Sequence, residues 1–223
     1  RLGNEYLSTG NRVNSSTGLV CTVTVQKRAT EITATTPGKI VKGNTASFTA
    51  SSSPSIPGTW TISATKDNSN EDVITVIGGN NTSGTSTTYS YRGAKVGTTT
   101  VTLTFTPTDS VNNAISTKVF TQEVIEANFS VTTSGTKTYY NTMATALAGT
   151  PTGGTIVQEK DCTDASEFTV TDKVVTFNNN GKTLNKTSKQ IKVISGATLE
   201  ITGSGEITTS ENFDLILSSG TLN

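Results

Sequence analysis

Residues 98–106 read TTTVTLTFT. Threonine takes every even position, and Val101, Leu103 and Phe105 take the last odd ones. A period of two sets one face on a core and the other in water, and β-branched Thr and Val suit a pleated backbone. The stretch therefore predicts a half-buried strand of an antiparallel sheet. The same alternation recurs on both sides of it. Upstream lie EITAT (31–35), TASFTA (45–50), GTWTISA (58–64), DVITVI (72–77) and STTYSYRG (86–93); downstream lies TKVFTQEVIE (117–126). Turn signals separate these runs at Pro37-Gly38, Gly43-Asn44, Pro54 to Gly58, Gly78 to Asn81 and Asp109 to Asn113. Seven short strands in about a hundred residues predict an immunoglobulin-like β-sandwich over residues 28–126. Its expected inward set is Ala46, Phe48, Trp60, Ile62, Ile74, Val76, Val101, Leu103 and Phe105. Residues 1–27, with the strand-like run LVCTVTVQ (19–26), read as an N-terminal extension or the tail strands of a preceding sandwich domain.

The composition supports an all-β chain and removes several kinds of chemistry. The 223 residues include 47 threonines, are 32% hydrophobic and 15% charged, and balance Lys+Arg 17 against Asp+Glu 17. Soluble domains average nearly half apolar residues and about a quarter charged. Hydroxyls thus fill the place that charges usually hold at the surface. There is no histidine, which excludes a Ser-His-Asp triad, a Cys-His dyad and imidazole metal ligands. A net charge of +0 gives no basic surface to displace counterions from nucleic acid. No run reaches the ~20 apolar residues of a membrane-spanning helix. The sequence also lacks a G-x-S-x-G elbow, a P-loop and a dinucleotide fingerprint.

Three strings in the sandwich region, GTWTIS (58–63), VITVI (73–77) and KVGTTTVTLTF (95–105), together with LVCTVTVQ (19–26), resemble the bacterial Ig-like domain family, group 2. The resemblance covers about residues 16–126 and departs from the family in a Ser/Thr/Asn-rich insertion at 78–90. It implies a stiff module of the kind found in tandem on bacterial surface proteins and in phage virion proteins.

From Ala127 the pattern changes. After NFSVTT (128–133), TYYNTMATALAG (138–149) is the one segment that reads as a helix, with Asn141 as its N-cap and Gly149 as its stop. Apolar β-runs follow: GTIVQ (154–158), KVVTF (173–177), QIKVIS (190–195) and FDLILS (213–218). Their spacing of roughly 20 residues falls in the range of solenoid coils. The strings NNNGKTL (178–184) and SGATLEITGSGEIT (195–208) lie between them. This region resembles the start of a pectate-lyase-like right-handed parallel β-helix. That resemblance implies a short helix capping the N-terminal coil of a domain over 127–223. The string SGTLN (219–223) reads as the middle of a coil, so either further chain or another subunit is expected to cover that end.

Candidate chemical groups are sparse. Asp161, Asp164 and Glu167 are close in sequence and read as loop-borne. They are Ca²⁺ candidates, weighed against ordinary solvated acids, because hard cations require six to eight oxygens and no EF-hand loop is present. Glu200 and Glu206 read as solvent-facing neighbours on one coil. Cys21 and Cys162 share no metal spacing; each reads as a small buried hydrophobe, with a Cys21–Cys162 disulfide or a reactive thiol as the alternatives. A Lys–Asn isopeptide cross-link is a further option that the sequence does not assign to particular residues. No catalytic residue and no cofactor are expected.

The expected role is a non-catalytic structural or adhesive module of a large extracellular or cell-surface bacterial protein. The alternatives are a phage virion or fibre protein, or the accessory N-terminal part of a polysaccharide-degrading enzyme. Expected partners are neighbouring domains of a longer chain or identical subunits, with a host glycan or surface protein as the external ligand class. Binding is expected on the β-helix face or on the insertion at 78–90.

Overall fold

A computed structural model describes residues 26–209 and 215–223 of the protein, and nine strands form between residues 31 and 125. They are β1 (Glu31–Ala34), β2 (Ile40–Val41), β3 (Thr45–Ser53), β4 (Gly58–Ala64), β5 (Ile74–Gly78), β6 (Thr82–Gly84), β7 (Ser86–Gly93), β8 (Gly97–Pro107) and β9 (Ser116–Ile125). The run at 19–25 and Cys21 lie outside the described residues. The strands assemble into two sheets of order β1-β3-β7-β5 and β2-β9-β8-β4-β6. All pairings are antiparallel except β2 with β9. This is the strand order of an immunoglobulin-type sandwich, with β2 and β6 added at the two edges of the second sheet. Pro37-Gly38, between β1 and β2, lies where the chain crosses over.

The alternation decides which side chains the sandwich buries. Trp60, Val101, Leu103 and Phe105 are fully buried, and Trp60 stacks on Phe105 with centroids 4.5 Å apart. The Trp60 indole N–H donates to Gly84 O at 3.1 Å, so its one polar atom is satisfied inside the core. Phe48, Ile62 and Ile74 are buried as expected, whereas Ala46 and Val76 are only partly buried against the core. Tyr89 and Tyr91 are fully buried as well, and the inward set read from sequence lacks them. Their hydroxyls donate to Thr61 O and to Gln122 Oε1, and burial pushes both phenols up to about 12. The insertion at 78–90 is built into the sheet. Its strand β6 extends the sheet beside β4, and Asn80 Oδ1 accepts the Ile62 N–H at 3.0 Å.

Among the described residues the second half holds β10 (Phe129–Thr133), β11 (Thr136–Tyr140), helix α1 (Met143–Ala148) and ten short strands. The strands are β12 (Gly154–Gln158), β13 (Cys162–Asp164), β14 (Phe168–Val170), β15 (Val174–Asn178), β16 (Thr183–Lys186), β17 (Ile191–Val193), β18 (Thr198–Thr202), β19 (Glu206–Thr209), β20 (Ile216–Ser218) and β21 (Thr221–Leu222). From β12 onward every third strand belongs to the same sheet, and every such pairing is parallel. The chain therefore winds as stacked three-strand coils, each adding one strand to each of three sheets.

A coil advances 21 residues from Ile156 to its neighbour Phe177 and 24 from Phe177 to Ile201. The runs at 173–177 and 190–195, taken from sequence as successive repeats, lie in different sheets of the same coil. Inward residues stack in columns such as Ile156–Phe177–Ile201 and Phe168–Ile191–Ile216. One coil cannot bury its own apolar side, but the stack shares a continuous core.

Helix α1 packs Met143, Ala146 and Leu147 into that core beside Phe129 and Phe168. It begins one residue later than its sequence suggests. Thr142, not Asn141, is the N-cap, and its hydroxyl accepts from the Thr145 N–H. Residues 138–140, just ahead of the expected Asn141 cap, belong to β11. Among the described residues no helix is long and apolar enough to cross a membrane.

Candidate functional site

Two polar constructions hold the architecture together. The first is the joint between the sandwich and the coils. The turn after β2 brings Lys42, Gly43 and Asn44 to the end of the sandwich, fixed by Lys42 N–H to Ile125 O and Gly43 N–H to Gly93 O, both 2.9 Å. The Asn44 side chain then behaves like a strand residue. Its amide donates to Tyr139 O at 2.8 Å, and its carbonyl oxygen accepts the Tyr139 N–H at 2.9 Å. Both backbone groups of that β11 residue are thereby satisfied by one side chain.

Gly43 lies against the Tyr139 ring. It has φ +95°, and a Cβ there would sit 2.7 Å from two ring carbons. The connecting residues are tied down too. Asn128 donates its side-chain amide to Asn141 O at 2.7 Å, and Asn141 donates its own to Glu126 O at 3.0 Å. Lys160 pairs with Glu126 at 3.3 Å. Beside the joint, Lys137 reaches Glu159 at 2.8 Å and Ser130 donates its hydroxyl to the same carboxylate. Burial alone would raise the Glu159 pKa, but these two donors outweigh it and hold the carboxyl below its ordinary value. The same hydrogen bond raises the Lys137 pKa.

The second construction locks α1 onto the first coil. Strand alternation turns Lys186 inward on β16, directly above Asp164 on β13. Both side chains are essentially without exposure, and Lys186 Nζ lies 2.6 Å from Asp164 Oδ2 and 2.6 Å from Ser166 O. Asp164 Oδ1 accepts the Met143 N–H at 3.2 Å, and Ser166 Oγ accepts the Ala144 N–H at 3.1 Å while donating to Asp164. With the Thr142 cap, these acceptors take three of the four N–H groups that a helix start leaves unpaired. At the other end Lys173 donates to Leu147 O at 2.7 Å and Thr150 O at 3.0 Å. Partial burial lowers the Lys173 pKa.

The three Ca²⁺ candidates are not brought together. Asp164 is committed to Lys186 and α1, Asp161 accepts the Thr183 N–H of the next coil at 2.8 Å, and Glu167 accepts the Thr169 hydroxyl at 3.0 Å. Among the described residues no group of three His, Cys, Asp or Glu side chains is placed to hold a metal ion. Glu200 lies on the outer face of β18, where it accepts the Thr176 hydroxyl at 3.2 Å, and Glu206 is exposed on β19. Cys162 is a half-buried free thiol packed on the coil core, and burial pushes its pKa up to about 11. Buried Lys186 faces a carboxylate rather than an asparagine amide. Sequence reading missed Lys186 because a lysine at an inward position looks like an outward one. The residue two before it, buried Leu184, carried the signal.

No family model matches the chain, and no curated protein sequence matches it. Among solved structures, domains 4 and 5 of the S-layer protein SbsC are similar over 42% of this chain and 50% of that chain, with 19% identity and a TM-score of 0.31. The chain thus spans about half the length of that structure. A mutant of the SrpA adhesin from Streptococcus sanguinis is similar over 44% of this chain and 58% of that chain, with 11% identity and a TM-score of 0.31. Alpha-2-macroglobulin from E. coli is similar over 46% of this chain and 7% of that chain, with 14% identity and a TM-score of 0.33.

Proposed function

We propose that this chain is a non-catalytic structural module of a bacterial extracellular or cell-surface protein. In this reading residues 28–126 are a stalk unit of the Ig-like group 2 kind, and residues 127–223 are helix-capped coils of a pectate-lyase-like β-helix. Residues 1–27 are an N-terminal extension or the tail strands of a preceding sandwich domain, and the partners of the unit are neighbouring domains or identical subunits.

The observation that carries the reading is the joint. A flexible linker between independent domains would leave their backbone groups to solvent. Here one asparagine pairs both backbone groups of Tyr139, a glycine admits the Tyr139 ring, and Asn128 and Asn141 bond the connecting residues on both sides. Such a joint transmits orientation, which is what a spacer presenting a second domain must do.

The test is Asn44→Ala. Removing both side-chain hydrogen bonds of this half-buried residue costs about 1–2 kcal/mol. By calorimetry the native protein should melt in one transition, and the variant should split into separate sandwich and coil transitions. Two independent transitions in the native protein, with small-angle scattering that shows a broad range of domain separations, would end the stiff-spacer reading.

A further inference from the structure

Beside the joint the sandwich surface is hollowed into two adjoining cavities of about 490 and 300 Å³ that share Lys42, Gly43 and Arg92. We propose that this groove binds an acidic glycan, a chain of sugars bearing carboxylates, with Lys42 and Arg92 as the residues that hold the anion.

The charge distribution carries the argument. At the joint end of the groove the acids are already neutralised, Glu126 by Lys160 and Glu159 by Lys137. Lys42 and Arg92 have no acidic partner among the described residues. In a chain of net charge +0, two uncompensated cations thus share one hollow. Arg92 is also held in place. Its Nε donates to Gly43 O at 3.0 Å, which fixes the guanidinium plane and leaves the outer N–H groups to a ligand. Lys42 stands next in sequence to that same Gly43, whose φ of +95° shapes the turn.

The surroundings favour a sugar chain over an acidic peptide. Thr45 and Thr75 flank Arg92 across the sheet, one from each neighbouring strand, and offer hydroxyls on either side of the cation. Ile77, 59% exposed, forms an apolar platform at the outer end of the groove, suited to the C–H face of a ring. A peptide would bind most readily by adding a strand at the sheet edge, which is β5. A register break between Val76 and Gly78 interrupts that edge where it borders the groove.

The experiment is calorimetric titration of the protein at low ionic strength with oligogalacturonate, its fully methyl-esterified counterpart and poly-L-glutamate. Oligogalacturonate should bind, the ester should not, and Lys42→Gln and Arg92→Gln should each weaken binding about tenfold. Lys39→Gln, which removes a lysine already paired with Glu123 at 3.1 Å, should leave binding unchanged. Thermal melts of the Gln variants, both at exposed or half-exposed positions, report that the fold is kept. The assignment is overturned by no binding of oligogalacturonate, by equal binding of the ester, or by binding that is indifferent to Lys42 and Arg92. It is overturned equally if poly-L-glutamate binds as well and depends on the same two residues. None of these outcomes bears on the melting test of the joint.

Discussion

Replacing Lys186 with Met keeps an unbranched stem in the coil core and deletes the ammonium. Lys186 is 0% exposed, and its Nζ makes two contacts of 2.6 Å, to Asp164 and to Ser166 O. After the change, the Asp164 carboxylate, 3% exposed, keeps only the Ser166 hydroxyl and the Met143 N–H as donors. Breaking a buried pair by removing one partner costs about 3–5 kcal/mol, because the charge left behind is uncompensated. The two surviving donors place Lys186→Met at the lower end, about 3 kcal/mol. Adding Asp164→Asn removes the stranded charge and keeps an oxygen to accept the Met143 N–H. The double variant should therefore recover about 2 kcal/mol of the loss, a coupling that a double-mutant cycle isolates. Urea unfolding of all four proteins measures it, and hydrogen exchange at the Met143 and Ala144 amides reports whether α1 loosens in step. If Lys186→Met costs less than about 1 kcal/mol, or if the double variant is no more stable than that single one, the ammonium is not what holds the carboxylate in the core.

Gly43→Ala tests the joint from the steric side. The position combines φ +95° with a Cβ only 2.7 Å from the Tyr139 ring, whereas Gly135 has φ +80° and open space around it. Gly135→Ala should show the backbone strain alone, about 1 kcal/mol, and Gly43→Ala should exceed it by at least as much again, with faster exchange at the Tyr139 amide; equal costs in denaturant would contradict the ring contact. A third prediction concerns pH. Glu159 has a depressed pKa in the folded protein, so its contribution is present above the ordinary glutamate range and is lost as pH falls through the folded value. The melting-temperature advantage of the native protein over Glu159→Gln should be visible at about pH 7 and shrink as the pH is taken below the ordinary glutamate range, and a gap that widens on acidification would reverse the assigned sign.

Legibility in the sequence followed strand length. Long strands such as β8 declare their inward face over five or six alternations, so the sandwich and most of its core could be read directly. The coil strands β13, β14 and β17 have three residues each, too few for a period to emerge, and the repeat spacing taken from the apolar runs therefore joined strands of different sheets. Residue type misled where it opposed position. Lys186 shares the inward face of β16 with buried Leu184, and its placement becomes intelligible only once Asp164 is found one coil away. Asp161, Asp164 and Glu167 look like neighbours along the chain, yet a coil turns its corner among them and sends each carboxylate to a different partner. The joint left the faintest trace. Asn44 and Tyr139 are 95 residues apart, and the Gly43-Asn44 pair signalled a turn without hinting that its side chain would act as a strand partner.

The scarcity of charge explains why that asparagine bears so much weight. Many soluble sheets guard their edges with lysine or glutamate, which discourage pairing with another chain. This chain covers its sheets with hydroxyls instead: Thr59 opposes Thr106, Thr61 opposes Thr104 and Ser63 opposes Thr102 across the strands. Cross-strand hydroxyl pairs stabilise a sheet by a few tenths of a kcal/mol each, but they do nothing to repel a foreign strand. Edges must then be managed by geometry. β5 is broken by its register shift, and β2 is cut to two residues. β11, the edge strand of the first coil sheet, has its Tyr139 backbone groups taken by the sandwich itself. The joint therefore does two things with one hydrogen-bonded pair: it fixes the direction in which the coils leave the sandwich, and it closes part of an edge whose one charged residue, Lys137, is already paired with Glu159.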